Sequence, residues 1–235
     1  MKLVLFDIDG TLLTSIGAGR NAVLESMEAI CGQAISIDGV EFAGRTDPAI
    51  LQDILEVNDL WTLNGPDLLQ ECLRAYADVL KERLHPEGVR VFPGVRGLVD
   101  TLAGAPDVVL GLLTGNMQET AFMKLEAAGL HRYFSFGAFG SDHPMRNELP
   151  PIAMERALIS SGHSFTPDRT FVIGDTPYDF ECGRAHGTHC IGVSTGIFSR
   201  DELAVHGPDL LVADFADPTE LLDYLSISSN ASTSA

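Results

Sequence analysis

The run Asp7-Ile8-Asp9-Gly10-Thr11 sets two carboxylates two residues apart, with a glycine behind them that lets the chain turn sharply. Like charges that close repel by roughly 4 kcal/mol at an effective dielectric of 20, so either one acid holds a proton or a cation lies between them. A second acidic turn, Gly174-Asp175-Thr176-Pro177-Tyr178-Asp179, follows another apolar run. Taken singly, Asp175 or Asp179 reads as an N-cap of the helix that follows Pro177. Two acidic turns of this kind point further. If both lie on one edge of a sheet, Asp7, Asp9 and Asp175 supply hard oxygen ligands of the sort Mg²⁺ prefers when a phosphate and water complete its octahedron.

Between the two turns, Leu112-Leu113-Thr114-Gly115-Asn116 ends a third apolar run with a hydroxyl and a glycine, just ahead of a helix starting near Met117. Helix N-termini and exposed amides favour anions, so Thr114 with the backbone of Gly115 and Asn116 is expected to hold a phosphoryl oxygen. Arg146, in the proline-flanked loop Pro144-Met145-Arg146-Asn147-Glu148-Leu149-Pro150-Pro151, is a cation available to balance a phosphate among carboxylates. Lys124 is a rival for that role, although Met123-Lys124-Leu125-Glu126 reads as a helix with a solvated lysine.

The elements that must carry these residues are short strands buried on both faces. Apolar runs at Leu3 to Phe6, Val108 to Leu113, Thr170 to Ile173, Cys190 to Val193 and Leu210 to Ala213 alternate with helical patterns, and Phe134 to Phe139 is a weaker candidate. The alternation predicts an α/β fold with a doubly wound parallel sheet, whose ligands bind beyond the carboxyl ends of the strands. From about Gly17 to Arg90 the alternation stops. Only helical spacing remains, as in Leu69, Cys72, Leu73, Tyr76 and Leu80, which predicts an inserted all-helical unit with turn-forming glycines and prolines on both sides.

Composition narrows the partners. The 235 residues hold 33 acidic and 15 basic side chains, a formal charge of −18, which disfavours nucleic acid and anionic membrane surfaces. Cys31, Cys72, Cys182 and Cys190 have no metal-binding spacing and read as free or buried thiols in a reducing compartment. The short apolar start, cut by Asp7 and Asp9, suits neither a signal sequence nor a membrane span, so a soluble, cytoplasmic protein is expected. The Ser-rich end, 227–235, is expected to be disordered.

In this order the four pieces resemble the haloacid dehalogenase-like superfamily, over Lys2 to about Leu225. The resemblance implies a Mg²⁺-dependent phosphatase acting on a small phosphorylated metabolite. In it Asp7 is the nucleophile, Asp9 the general acid/base, Thr114 a phosphate-binding hydroxyl, Arg146 the basic residue of the third motif and Asp175 a metal ligand. Asp179 matches the second acid of the fourth motif, which supports the metal directly or through water. The third motif is usually lysine, so Arg146 departs from the pattern. The insert resembles the family's small cap: residues 1–15 and 91–226 are then the core and 16–90 the cap. Within it, Ala43-Gly44-Arg45-Thr46-Asp47-Pro48 matches a loop that reaches into the site. For Arg45 two readings stand, a substrate contact or a surface arginine before an Asp-capped helix. Dehalogenases lack an acid at the position of Asp9, so that residue argues for phosphoryl transfer. A phosphomutase of the same superfamily and a non-catalytic phosphate-binding module are the alternatives, and length and cap pattern resemble phosphoglycolate phosphatase-like members.

Overall fold

The computed structural model describes residues 1–227. Lys2–Phe6 (β1) is buried along its whole length, which explains an unbroken apolar run in place of an alternating one. Leu13–Thr14 (β2) follows, then the helices α1 (Ala18–Cys31), α2 (Asp47–Val57) and α3 (Gly65–Arg83), and Arg90–Val91 (β3). Strands and helices then alternate through α4 (Val95–Gly104), β4 (Val108–Thr114), α5 (Gln118–Ala127), β5 (Gly137–Phe139), α6 (Leu149–Ser161), β6 (Thr170–Gly174), α7 (Pro177–Ala185), β7 (His189–Val193), α8 (Arg200–Ala204), β8 (Leu210–Val212) and α9 (Thr219–Tyr224).

Six of the strands form one parallel sheet in the order β5-β4-β1-β6-β7-β8. From β1 the order runs outward through β4 and β5 on one side and through β6, β7 and β8 on the other. The carboxyl ends of β1, β4 and β6 therefore flank the point where the winding reverses, the place an open α/β sheet leaves a crevice. Alternate residues of β1 serve opposite faces: Val4 and Phe6 join a core with Leu98, Leu102 and Leu125, while Leu3 and Leu5 join one with Ala153 and Ala157.

The helical insert has its own core. Met27, Leu51, Ile54, Cys72, Tyr76 and Leu80 pack together across α1, α2 and α3, and burying each large aliphatic side chain contributes about 1.5–3 kcal/mol. Thr46 caps α2, its Oγ1 accepting from Ala49 N at 3.3 Å, so the helix is not Asp-capped as the sequence suggested. Where the insert leaves and rejoins the sheet, β2 and β3 pair antiparallel, Leu13 opposite Val91 and Thr14 opposite Arg90. This ribbon departs from the expectation of a strandless stretch reaching Arg90, because two-residue strands carry no legible alternation.

Ile227 is buried against the core beside Leu222, so the packed chain runs one residue into the stretch expected to be disordered; the remainder of that stretch lies outside the described residues. All four cysteines are free thiols. Among the described residues no helix is long and apolar enough to cross a membrane.

Candidate active site

Asp7 follows β1 directly, Asp175 follows β6, and Asp179 lies in the first turn of α7. Their buried carboxylates each bring one oxygen to within 4.8 Å of the others. Arg146 reaches into this group. Its Nη2 donates to Asp7 Oδ1 at 3.1 Å and pairs with Asp179 Oδ1, and its Nη1 donates to Gly44 O at 2.9 Å. Its Nε is buried with no protein partner among the described residues. One guanidinium cannot neutralise three carboxylates. Burial, with help from Asp179 and Asp9 and against Arg146, pushes the Asp7 carboxyl up to about 7. Asp175 is raised well above the usual carboxylate range, by burial first and then by Asp7 and Asp179. Burial opposes the charge on Arg146, but Asp179 and Asp7 outweigh it and hold the guanidinium firmly protonated.

Glycines shape this floor. Gly10 has φ +88°, and a Cβ there would lie 2.2 Å from Asp175 Oδ2; a Cβ at Gly196 would lie 1.7 Å from the same oxygen. Thr11 Oγ1 donates to Asp175 Oδ1 at 3.0 Å. Asp179 Oδ2 accepts from Thr176 N at 3.0 Å and Oγ1 at 2.7 Å, so this acid serves the start of α7 as well as Arg146.

Asp9 stands apart from the three-acid group. Its Oδ2 accepts from Lys124 Nζ at 2.6 Å and Asn116 Nδ2 at 2.8 Å, and Lys124 Nζ also donates to Asn116 Oδ1 at 2.6 Å. Lys124 is thus no solvated lysine: its side chain is 5% exposed, whereas that of Asp9 is 40% exposed toward the cleft. The signal was available in α5, where Thr120, Ala121 and Leu125 are buried and Lys124 falls on the same face at helical spacing.

At the end of β4, Thr114 Oγ1 accepts from Asn116 Nδ2 at 2.8 Å, which leaves its own hydroxyl hydrogen free to donate. Gly115 allows the insert to close on the sheet: a Cβ there would lie 2.0 Å from Arg45 O. Three further hydrogen bonds hold that loop: Asp47 N to Gly115 O at 2.7 Å, Thr46 Oγ1 to Pro144 O at 2.7 Å and Met117 N to Asp47 Oδ2 at 2.9 Å. Asp47, which the sequence reading made the cap of its own helix, instead caps α5 from another part of the chain. With Thr46 already capping α2, an adjacent spare acid was the available sign. Burial pushes Asp47 up to about 6, against Lys124 and the Met117 amide.

These groups line a cleft of about 380 Å³ between sheet and insert. Asp7, Asp9, Thr114, Lys124, Arg146 and Asp175 face it from the sheet side. Arg20 and Arg45 line it from the insert; Arg45 Nη2 also pairs with Asp53 at 2.9 Å, and the Arg20 guanidinium sits 5.0 Å from the Phe42 ring centre.

The sequence profile described as "Haloacid dehalogenase-like hydrolase" matches residues 4–193, most of the chain. The chain belongs to that family. This hydrolase is 27% identical over 225 residues to pyrophosphatase PpaX of Bacillus pumilus, covering 92% of this chain and 94% of that one. It is 24% identical over 234 residues to a phosphoglycolate phosphatase of Photorhabdus laumondii, covering 92% and 90%. Its fold is shared with the crystal structure of a hydrolase from Pseudomonas syringae, at TM-score 0.71 and 19% identity over 97% of this chain and 100% of that one.

Proposed function

We propose that this hydrolase cleaves small phosphate monoesters through a phosphoryl group carried on Asp7. The observation that carries the reading is the convergence of Asp7, Asp175 and Asp179 on one another, with Arg146 among them and Thr114 lining the same cleft.

The donor set fits Mg²⁺. Its atoms are hard carboxylate oxygens, and burial with mutual repulsion already drives Asp7 and Asp175 toward their protonated forms, which a divalent cation would reverse. Asp7 and Asp175 would hold it. Both oxygens of Asp179 have protein partners, which favours support through Arg146 over direct ligation. When bound, Mg²⁺ supplies positive charge beside the phosphoryl oxygens.

The chain's own groups account for the remaining steps. Asp7 attacks phosphorus in line, and as its oxygen bonds to phosphorus the bond to the leaving oxygen breaks. Protonated Asp9 gives its proton to that leaving oxygen, releasing the alcohol. Asp9, now a carboxylate, takes a proton from water as the water attacks the phosphoryl group; the bond to Asp7 breaks and inorganic phosphate leaves. Arg146, the Thr114 hydroxyl and the amides after β4 stabilise charge on the equatorial oxygens throughout. Residues 16–90 act as a cap on a core of 1–15 and 91–226, excluding water from the cleft.

Phosphoglycolate and pyrophosphate, named for two relatives, both carry a second anionic group. Arg20 and Arg45 in the cleft wall support a leaving group of that kind. Free thiols suit a cytoplasmic enzyme. The test is a panel of phosphorylated metabolites, including 2-phosphoglycolate, sugar phosphates, nucleoside monophosphates and pyrophosphate, scored by kcat/KM with Mg²⁺ and with EDTA. Preferred turnover of substrates with a second anionic group is expected; no phosphate release from any member would refute the reading.

A further inference from the structure

Two buried cations lie in the cleft, and they do not serve the same acid. Arg146 binds Asp7 and Asp179, whereas Lys124 binds Asp9. Lys124, Asn116 and Asp9 form a closed triangle: Lys124 Nζ donates to Asp9 Oδ2 at 2.6 Å and to Asn116 Oδ1 at 2.6 Å, and Asn116 Nδ2 donates to Asp9 Oδ2 at 2.8 Å. Two donors occupy Oδ2, while the described hydrogen bonds leave Oδ1 free. Asn116 is tied in turn to the end of β4 through Thr114 Oγ1, so the triangle is anchored to the sheet.

We infer that Lys124 is a positioning residue for Asp9, holding the carboxyl by Oδ2 so that Oδ1 carries the proton exchanged with the leaving oxygen. The inference rests on the phosphatase reading above and refines it. A carboxyl gripped by one oxygen keeps one rotamer, and proton transfer needs the donor within about 2.6–3.2 Å of the leaving oxygen. An apolar side chain here would leave Asn116 Oδ1 without this donor and Asp9 Oδ2 held by Asn116 alone. Lys124 also offsets Asp47 at the foot of the insert, so one ammonium stands between the acid of the sheet and the loop that closes over it.

A positioning role differs from a structural one in its dependence on the leaving group. Esters of aryl alcohols such as p-nitrophenyl phosphate need little protonation of the departing oxygen, whereas alkyl esters such as glycerol phosphate require it. The experiment compares kcat/KM of wild type and Lys124→Met, with Mg²⁺, across a series of aryl and alkyl phosphates. The expected result is a loss of about 10- to 100-fold for alkyl esters and less than about 3-fold for p-nitrophenyl phosphate, part of the full worth of a general acid. If circular dichroism shows the methionine variant unfolded, Lys124→Gln, which keeps a donor on a shorter side chain, takes its place, and a smaller loss, again confined to the alkyl esters, is expected. An equal loss for every ester, or no loss in a folded variant, overturns the inference alone. If wild type releases no phosphate, or Asp7→Asn retains full turnover, the phosphatase reading falls and takes this inference with it.

Discussion

Arg146 and Asp179 form an ion pair away from solvent, their side chains 7% and 0% exposed, at the meeting point of three acids. Breaking a buried pair from one side typically costs about 3–5 kcal/mol, because the abandoned charge stays buried. Arg146→Ala is therefore expected to lower the denaturation midpoint in EDTA, with Mg²⁺ restoring part of it, and to reduce kcat/KM for every ester alike. Arg146→Lys should keep part of both, since charge survives while the fork that also reaches Gly44 is lost. A wild-type midpoint for Arg146→Ala in EDTA would count against the pair as a structural element.

Asp7→Asn is expected to abolish turnover with circular dichroism unchanged. Asp9→Asn should slow it by about 10² to 10⁴-fold and allow the phosphorylated protein to be trapped from an aryl-ester substrate, whose leaving group needs little protonation. Acid quench with labelled substrate measures the trapped species. Near-normal turnover by folded Asp7→Asn would eliminate the covalent route.

Metal-free stability should fall as pH rises. Asp7 titrates at about 7 and Asp47 at about 6 in the fold, and Asp175 is shifted the same way, against 3.8 for each in an unfolded chain. The folded state thus binds more protons than the unfolded one. The contribution of Asp7 and Asp47 is complete below about pH 4 and is lost progressively up to about pH 7, with Asp175 acting in the same direction. Mg²⁺ prefers the ionised acids, so its thermal shift should grow over the same window. Differential scanning fluorimetry with EDTA and with Mg²⁺ provides the readout, and a metal-free Tm that climbs from about pH 5 to about pH 8 would contradict this account.

Gly115→Ala should disturb closure and leave the sheet intact. The added Cβ would meet Arg45 O at 2.0 Å, with backbone on both sides, so loop 44–47 must shift away from β4. Lower kcat, with faster hydrogen exchange at residues 44–47, is the expected pair of results. Wild-type exchange there would mean that the loop tolerates the methyl group.

Arg45→Ala should act on choice of substrate more than on stability. Its pair with Asp53 is partly exposed, so the loss should stay below about 1 kcal/mol. The ranking of anionic-tailed esters against p-nitrophenyl phosphate is expected to change. An unchanged ranking would leave Arg20 as the basic group of the insert to vary next.

The sheet was legible because its strands are continuous apolar runs, each ended by a turn within a few residues. Such signals are local. The acids after β1 and β6 could be read for the same reason, since strand and turn adjoin in sequence. What joins Arg146 to Asp7, or Lys124 to Asp9, is a separation of 139 and 115 residues that only the folded sheet closes. Lys124 was misread because a lone lysine on a helix is ordinarily solvated, and its buried acceptors lie on other elements. Asp47 was read as the cap of its own helix because the partner it takes, the Met117 amide ahead of α5, lies 70 residues on. The β2–β3 ribbon, two residues a side, was below the length at which alternation can be read.

That ribbon also bears on how the molecule is assembled. Because Leu13 lies opposite Val91, the chain departs from the sheet and comes back at one spot, and the sheet meets everything between them as a single long loop. Closing such a loop is an entropic cost that grows only logarithmically, about 0.6 kcal/mol for each doubling of length. The size of the inserted unit is therefore almost independent of the sheet's ability to fold, and helices can be gained or lost there while the strand ends keep their register.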